Sequence, residues 1–213
     1  MEEQKFIVKD SMPLFINESV NTIELCLGDI SELDMRNKVE MLLISALPGG
    51  YDTPAGTVMH SLLANLNVSV ADLAKNKEVD KRDTHKCWWS KPIQQPDVPF
   101  DRLMCYESGG GQAAAAEFTN TTFSCLKEIY QKKDFKLVTS LLNTGQQKMD
   151  EVVMLEAIVE AAILAMKDGL NLRQLMIFIN ADYKGEANFT SKVRDFEGIC
   201  TKFEQLKLQH TAI

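Results

Sequence analysis

Three times along this chain a short apolar run leads through a glycine- or amide-rich loop into a segment with helical apolar spacing. Val39–Ala46 (VEMLLISA) passes through Pro48-Gly49-Gly50 to a helix starting near Pro54, with Val58, Leu62, Leu63 and Leu66 on one side. Leu103–Glu107 passes through Gly109–Gly111 to a helix over 112–131 carrying Phe118, Thr122, Cys125, Leu126 and Ile129. Residues 136–142 (KLVTSLL) lead through NTGQQKMD to a helix over Glu151–Lys167. A run such as Val39–Ala46 has no polar face, so it suits a strand covered on both sides. Repeated right-handed crossovers put helices on both faces of such a sheet. The expected fold is therefore α/β, a three-layer α/β/α sandwich around a mixed, largely parallel central sheet, formed as one domain over residues 1–213.

The flanking segments fill in that frame. Residues 5–9, 12–17 and 22–28 read as short antiparallel strands, and Val70–Lys75 as a second helix. The stretch 76–102 contains KNKEVDKRD and three prolines and reads as loop, with one short strand near Trp88–Ile93. In that strand the two tryptophans are expected to alternate, one ring inward and one outward, with core packing favoured over an exposed aromatic for a partner. A last strand at Gln174–Ile179 precedes a C-terminal helix expected to carry Phe189, Val193, Phe196, Ile199, Cys200, Phe203 and Leu206.

In parallel sheets ligands bind at the carboxyl ends of the strands, where all the glycine loops fall. Loop N–H groups beside helix N-termini suit anionic oxygens, so a phosphate-bearing ligand is expected. Neither GxxxxGK[ST] nor a well-placed GxGxxG occurs, which argues against a P-loop NTPase and an ordinary dinucleotide dehydrogenase. A net charge of −7, with scattered Lys and Arg, argues against a nucleic-acid partner. No apolar stretch reaches the length of a membrane span and the Met1 end lacks a leader pattern, so a cytoplasmic or nuclear location is expected. The five cysteines form no CxxC pair and read as small buried hydrophobes, and the three histidines are scattered, so no metal is expected.

In this order the motifs resemble those of the macrodomains, a family that binds ADP-ribose. IELCLGDISEL is similar to that family's strand ending in Gly-Asp-Ile-Thr, and VEMLLISALPGGYDTPAGTVMH to its strand, glycine loop and helix start. GGGQAAAAEFTNTTFSCLKEI, VTSLLNTGQQKMDEVVMLEAIVEAAI and MIFINADYKGEANFTSKVRDF resemble its third helix, its second loop and its final strand and helix. The resemblance implies that Asp29, beside the Ile30 backbone, accepts from an adenine amine. It implies that Gly49, Gly50, Gly56, Thr57 and Val58 line the diphosphate and distal ribose from one side, and Thr144, Gly145, Gln146 and Gln147 from the other. Phe178 and Asn180 would flank the adenine. For Asp29 a capping carboxylate, and for Phe178 a core residue, remain equal readings.

Two departures bear on chemistry. Ala46-Leu47-Pro48 stands where macrodomain hydrolases carry Ala-Ala-Asn, and Gly145-Gln146-Gln147-Lys148 where the family continues Gly-(Ile/Val)-(Tyr/Phe)-Gly. The expected function is therefore binding of ADP-ribose or a related adenine nucleotide, free or on a modified protein, without strong catalysis and without a further cofactor. Alternatives are hydrolysis of an ADP-ribosyl ester or phosphoester using Asp52 or a loop-bound water, and a ligand-free interaction module on the same fold; Asp52 and His60 are a conceivable acid–base pair, with a structural or exposed His60 favoured.

Overall fold

The run Val39–Ala46 forms strand β3, and its side chains alternate between two separate cores. Met41 and Leu43 pack into one, Leu42 and Ile44 into the other. A computed structural model describes residues 5–107, 109, 113–131, 133–142, 144–145, 148–183 and 189–211. In chain order the elements are β1 (Ile7–Ile16), β2 (Ser19–Leu27), β3, α1 (Val58–Leu66), α2 (Val70–Lys75), β4 (Lys77–Lys81), α3 (Arg82–His85), β5 (Cys87–Ser90), β6 (Phe100–Glu107), α4 (Ala113–Tyr130), β7 (Phe135–Ser140), α5 (Glu151–Lys167), β8 (Leu172–Ile179), β9 (Ala181–Tyr183), β10 (Phe189–Ser191) and α6 (Phe196–Thr211).

The main sheet has eight strands in the order β1-β2-β8-β7-β3-β6-β5-β4. Its interior from β2 to β6 is parallel, while β1, β5 and β4 are antiparallel additions at the margins. Helices α4, α5 and α6 cover one face through Phe118, Leu155, Ile158 and Phe203. Helices α1 and α2 cover the other through Leu62, Val70 and Ala74. The expected three-layer sandwich is thus the observed one.

The departures from the sequence reading fall at the margins. Strand β1 is continuous where two short strands were expected. It tolerates Pro13 because an edge strand has a free side on which the missing N–H costs nothing, and it absorbs a register shift between Val8 and Asp10. Its turn into β2 places Asn17 and Glu18 at φ of 50° and 62°, the twist a two-residue hairpin requires. The charged KEVDK, expected as loop, is edge strand β4; Glu78 and Asp80 pair with Arg102 and Arg82, and such charges keep an edge from pairing with other chains.

Trp88 and Trp89 do point to opposite faces, but neither is outward. At 0% and 6% exposure they enter the two cores separately, because β5 is itself covered on both faces. At the other end of the chain, the C-terminal helix begins at Phe196. Phe189 lies in β10, whose hairpin with β9 was not anticipated, and Val193 lies in the turn that follows. Among the described residues no helix is long and apolar enough to cross a membrane.

Glu18 adopts a left-handed conformation that costs an L-residue about 1 kcal/mol or more and costs glycine little. Glu18→Gly is expected to raise stability by about 0.5 kcal/mol, read as a higher urea midpoint with an unchanged slope.

Candidate functional site

At the carboxyl edge of β3, β7 and β8 the diverging loops leave a cleft of about 270 Å³. Its floor is Ile44, Ser45 and Ala46 from the end of β3, with Ser140 and Leu141 from the end of β7. A smaller recess of about 20 Å³, holding Gly28, Asp29, Ile30 and Ser61, opens from it. The two are continuous, for Thr57, Val58, Ser140, Phe178 and Asn180 line both.

One wall is built by the chain between β3 and α1. Leu47-Pro48-Gly49-Gly50 is a tight turn closed by the Gly50 N–H on the Leu47 carbonyl at 2.8 Å. Proline at the second position and Gly49 at φ +68° at the third are what such a turn demands. Gly56, at φ +84°, lets the chain reverse into Thr57. Thr57 then caps α1: its Oγ1 accepts from the His60 N–H at 3.2 Å and donates to the Pro54 carbonyl at 2.8 Å. The N–H groups of Val58 and Met59 have no intrahelical acceptor, and both residues line the cleft.

Glu107, which no sequence reading singled out, sets the position of this wall. It ends β6, is 4% exposed, and accepts from the Gly49 N–H at 3.0 Å, the Trp88 Nε1 at 2.8 Å and the Tyr51 hydroxyl. Arg82 stands 3.9 Å away as its counter-charge. Burial and the bond to Glu107 push the Tyr51 hydroxyl pKa above its ordinary range. The available signal was a carboxylate closing the apolar run LMCYE at a strand's carboxyl end.

The opposite wall is Thr144 and Gly145, with Val193 beside them. The Thr144 hydroxyl donates to the Leu141 carbonyl at 2.8 Å, and Gly145 is exposed with open space where a Cβ would stand. Gln146 and Gln147 lie outside the described residues. Here too a buried glutamate fixes the frame. Glu151, at the start of α5, accepts from the backbone N–H groups of Arg194 and Asp195 at 3.0 and 2.9 Å, anchoring the turn that carries Val193.

Electrostatically the two helices at the cleft differ. The first turn of α5 is already filled by its own acids, Asp150 as N-cap and Glu151 after it. The first turn of α1 carries no acid. Among the described residues lining the cleft and recess there is no Lys, Arg or His, and the ionisable ones are Asp29 and Asp52. An anion in this cleft is therefore met by the backbone N–H groups and dipole of α1.

Asp29 turns out to be both a cap and a wall. Its Oδ1 accepts from the Ser31 N–H at 2.9 Å and the Ser31 hydroxyl at 2.7 Å, and its Oδ2 from the Ser61 hydroxyl at 2.7 Å, while Asn65 supports Ser31. These bonds leave Oδ2 with acceptor capacity unfilled. Phe178 is 2% exposed and tilts against Phe6 at 5.0 Å, so it is a core residue whose edge enters the wall. Asn180 is exposed at the rim. Gly49 acts through its N–H on Glu107 and lies behind the lining, whereas Gly50, Gly56, Thr57 and Val58 lie in it. Asp52 lines the cleft, but His60 is exposed outside it, so the two are not brought together there. Among the described residues no three His, Cys, Asp or Glu side chains converge as a metal site.

Solved structures share this backbone fold. A variant of the Oceanobacillus iheyensis macrodomain superimposes with a TM-score of 0.59 at 15% identity, covering 94% of this chain and 99% of its own. This protein has a macrodomain fold. The same Oceanobacillus macrodomain with ADP gives 0.56 at 15% identity, covering 94% and 98% of the two chains. The Trypanosoma brucei macrodomain in complex with ADP-ribose gives 0.53 at 13% identity, covering 73% of this chain and 62% of the other. No family model matches the sequence, and no curated protein matches it. The likeness to macrodomains is thus one of backbone fold, at 13–15% identity.

Removing the Glu107 carboxylate leaves the buried Trp88 indole N–H, and the Gly49 N–H, without an acceptor. Glu107→Ala is expected to cost roughly 3 kcal/mol in urea unfolding, and Glu107→Gln, which keeps one acceptor oxygen, distinctly less. Amide exchange at Gly49 and Gly50 should accelerate in both variants.

Proposed function

We propose that the cleft binds ADP-ribose or a closely related adenine nucleotide, free or carried on a modified protein, and turns it over slowly or not at all. The observation that carries this reading is the continuity of the recess beside Asp29 with the acid-free N-terminus of α1. A nucleotide needs an acceptor for its base amine at one end and N–H groups for its phosphates next to it. That solved macrodomains hold ADP and ADP-ribose supports the same assignment.

In this reading the free acceptor capacity of Asp29, with the Ile30 backbone beside it, takes the adenine amine, and Phe178 and Asn180 flank the ring. Gly56, Thr57 and Val58 hold the diphosphate from one side, and Thr144 and Gly145 from the other, continued by Gln146 and Gln147. Gly49 and Gly50 shape the wall at the distal ribose. Leu47 stands at that wall, 42% exposed, and cannot orient a ribose hydroxyl by hydrogen bonding. Weak or absent turnover follows from that and from the separation of His60 from the cleft.

Asp29→Ala would also remove a cap, so Asp29→Asn is the cleaner probe: it keeps an acceptor for the Ser31 N–H and replaces the second oxygen by a donor. Its ADP-ribose affinity is expected to fall by about 1–3 kcal/mol, roughly 5- to 150-fold in Kd, with little change in melting temperature. Equal calorimetric Kd values in variant and wild type would overturn the role of Asp29.

Gly145 separates ligand space from backbone demand, since its Cβ position is open and Gly56, at positive φ, is strained by any side chain. Gly145→Glu is expected to abolish the ADP-ribose-induced thermal shift while the ligand-free melt stays unchanged. Retained binding would show that this loop does not touch the phosphates. Single-turnover assays on an ADP-ribosylated protein should release no more ADP-ribose than the uncatalysed control. Fast release lost in Asp52→Ala would establish hydrolysis instead.

A further inference from the structure

Beneath the seam between β4 and α4 lie two thiols that the cleft does not use. Cys87 of β5 and Cys125 of α4 are both fully buried, with their Sγ atoms 3.3 Å apart. No other pair among the five cysteines is brought into such contact among the described residues. We propose that Cys87 and Cys125 form a reversible dithiol–disulfide couple that closes on two-electron oxidation by a peroxide, tying β5 to α4.

The geometry asks little of the chain. A disulfide has an S–S length of about 2.05 Å, so the sulfurs need to approach by little more than an ångström. The two sulfurs are also unequal. The Cys87 thiol donates to the Cys125 sulfur, and the Lys81 ammonium favours charge there too, so Cys125 ionises below its ordinary range although burial opposes this. Burial, with a nearby carboxylate adding to it, pushes the thiols of Cys26, Cys105 and Cys200 up. Cys125 is therefore the attacking sulfur, and Cys87 the resolving one.

The Cys125 thiolate attacks one oxygen of hydrogen peroxide, the O–O bond breaks, and hydroxide leaves with a proton as water, giving a sulfenic acid. The Cys87 sulfur then attacks that sulfur as it loses its proton, the S–O bond breaks and a second water leaves. Two thiols and one peroxide become one disulfide and two waters. Access is through opening of the seam that the Lys81–Glu128 ion pair closes. The bond would lie beside two of the attachments of Glu107, whose N–H donates to the Lys86 carbonyl at 2.6 Å and whose carboxylate holds Trp88. Oxidation is thus reported by tryptophan emission.

The test is peroxide titration of the folded full chain, followed by denaturing alkylation, intact mass and peptide mapping. The expected result is a monomer lighter by two hydrogen atoms, a linked Cys87–Cys125 peptide, a change in tryptophan emission, and full reversal by dithiothreitol. Cys125→Ser should give no linkage, and Cys87→Ser should leave a dimedone-trappable sulfenic acid at Cys125. If Cys200, the half-buried cysteine, is oxidised while Cys87 and Cys125 remain alkylatable, the proposal fails. It fails equally if the linkage forms only in urea. Where a serine variant does not fold, the wild-type peptide map decides by itself.

Discussion

The central strand β3 has no polar face, and most of the architecture follows from covering it. Val39, Met41, Leu42, Leu43 and Ile44 are each at most 1% exposed, which no two-layer arrangement could achieve for side chains alternating up and down. Each face therefore requires its own helices, and each pair of parallel neighbours requires a crossover. Crossovers return the chain at one edge and release it at the other. Loops then crowd the releasing edge, leaving between them the space that became the cleft.

A cleft made of loops must also be held open in one shape, and here two buried glutamates do this. Both accept backbone N–H groups from segments distant in sequence: Glu107 from Gly49, Glu151 from Arg194 and Asp195. A carboxylate can accept several bonds at once, so a single side chain fixes a whole turn. Hydrogen bonds from backbone N–H groups to a carboxylate are also among the stronger ones available to a protein. The walls are thus positioned by groups outside the lining, and the lining itself is left nearly free of charge.

Much of this organisation was legible in the sequence because periodicity reports burial. The three strand–loop–helix units, including α5 at Glu151–Lys167, and the gathering of Gly50, Gly56, Thr144 and Gly145 on one edge followed from apolar spacing and glycine placement. Edge strand β4 did not, because the charged side chains that keep an edge from pairing with other chains make it look like a solvated loop. The continuity of β1 through Pro13 did not, because tolerance of proline depends on which strand lies beside it. Glu107 and Glu151 were missed for a related reason: their partners are backbone amides more than 40 positions away, and a carboxylate's burial cannot be read without them. Core packing of Trp88 and Trp89 was the favoured reading and is observed, but alternation predicts only opposite faces and not that both faces are covered.

The chemistry of the lining also bears on how this chain relates to proteins of the same fold. A site that meets an anion with N–H groups and a helix terminus makes few demands on side-chain identity. Glycine is needed where φ is positive, as at Gly49 and Gly56, and a capping hydroxyl where a helix begins, as at Thr57. Elsewhere substitution is constrained by volume and polarity alone, as the core is. Sequence identity can then fall to levels at which no family model responds while the backbone that shapes the cleft persists. Side chains that perform chemistry enjoy no such freedom, since their function groups must remain in place. Leu47 has no polar group and His60 lies outside the cleft, so neither brings a reactive group to the lining. The positive-φ glycines and the helix cap thus fix the shape of the cleft, and the fold is recognisable where the sequence is not.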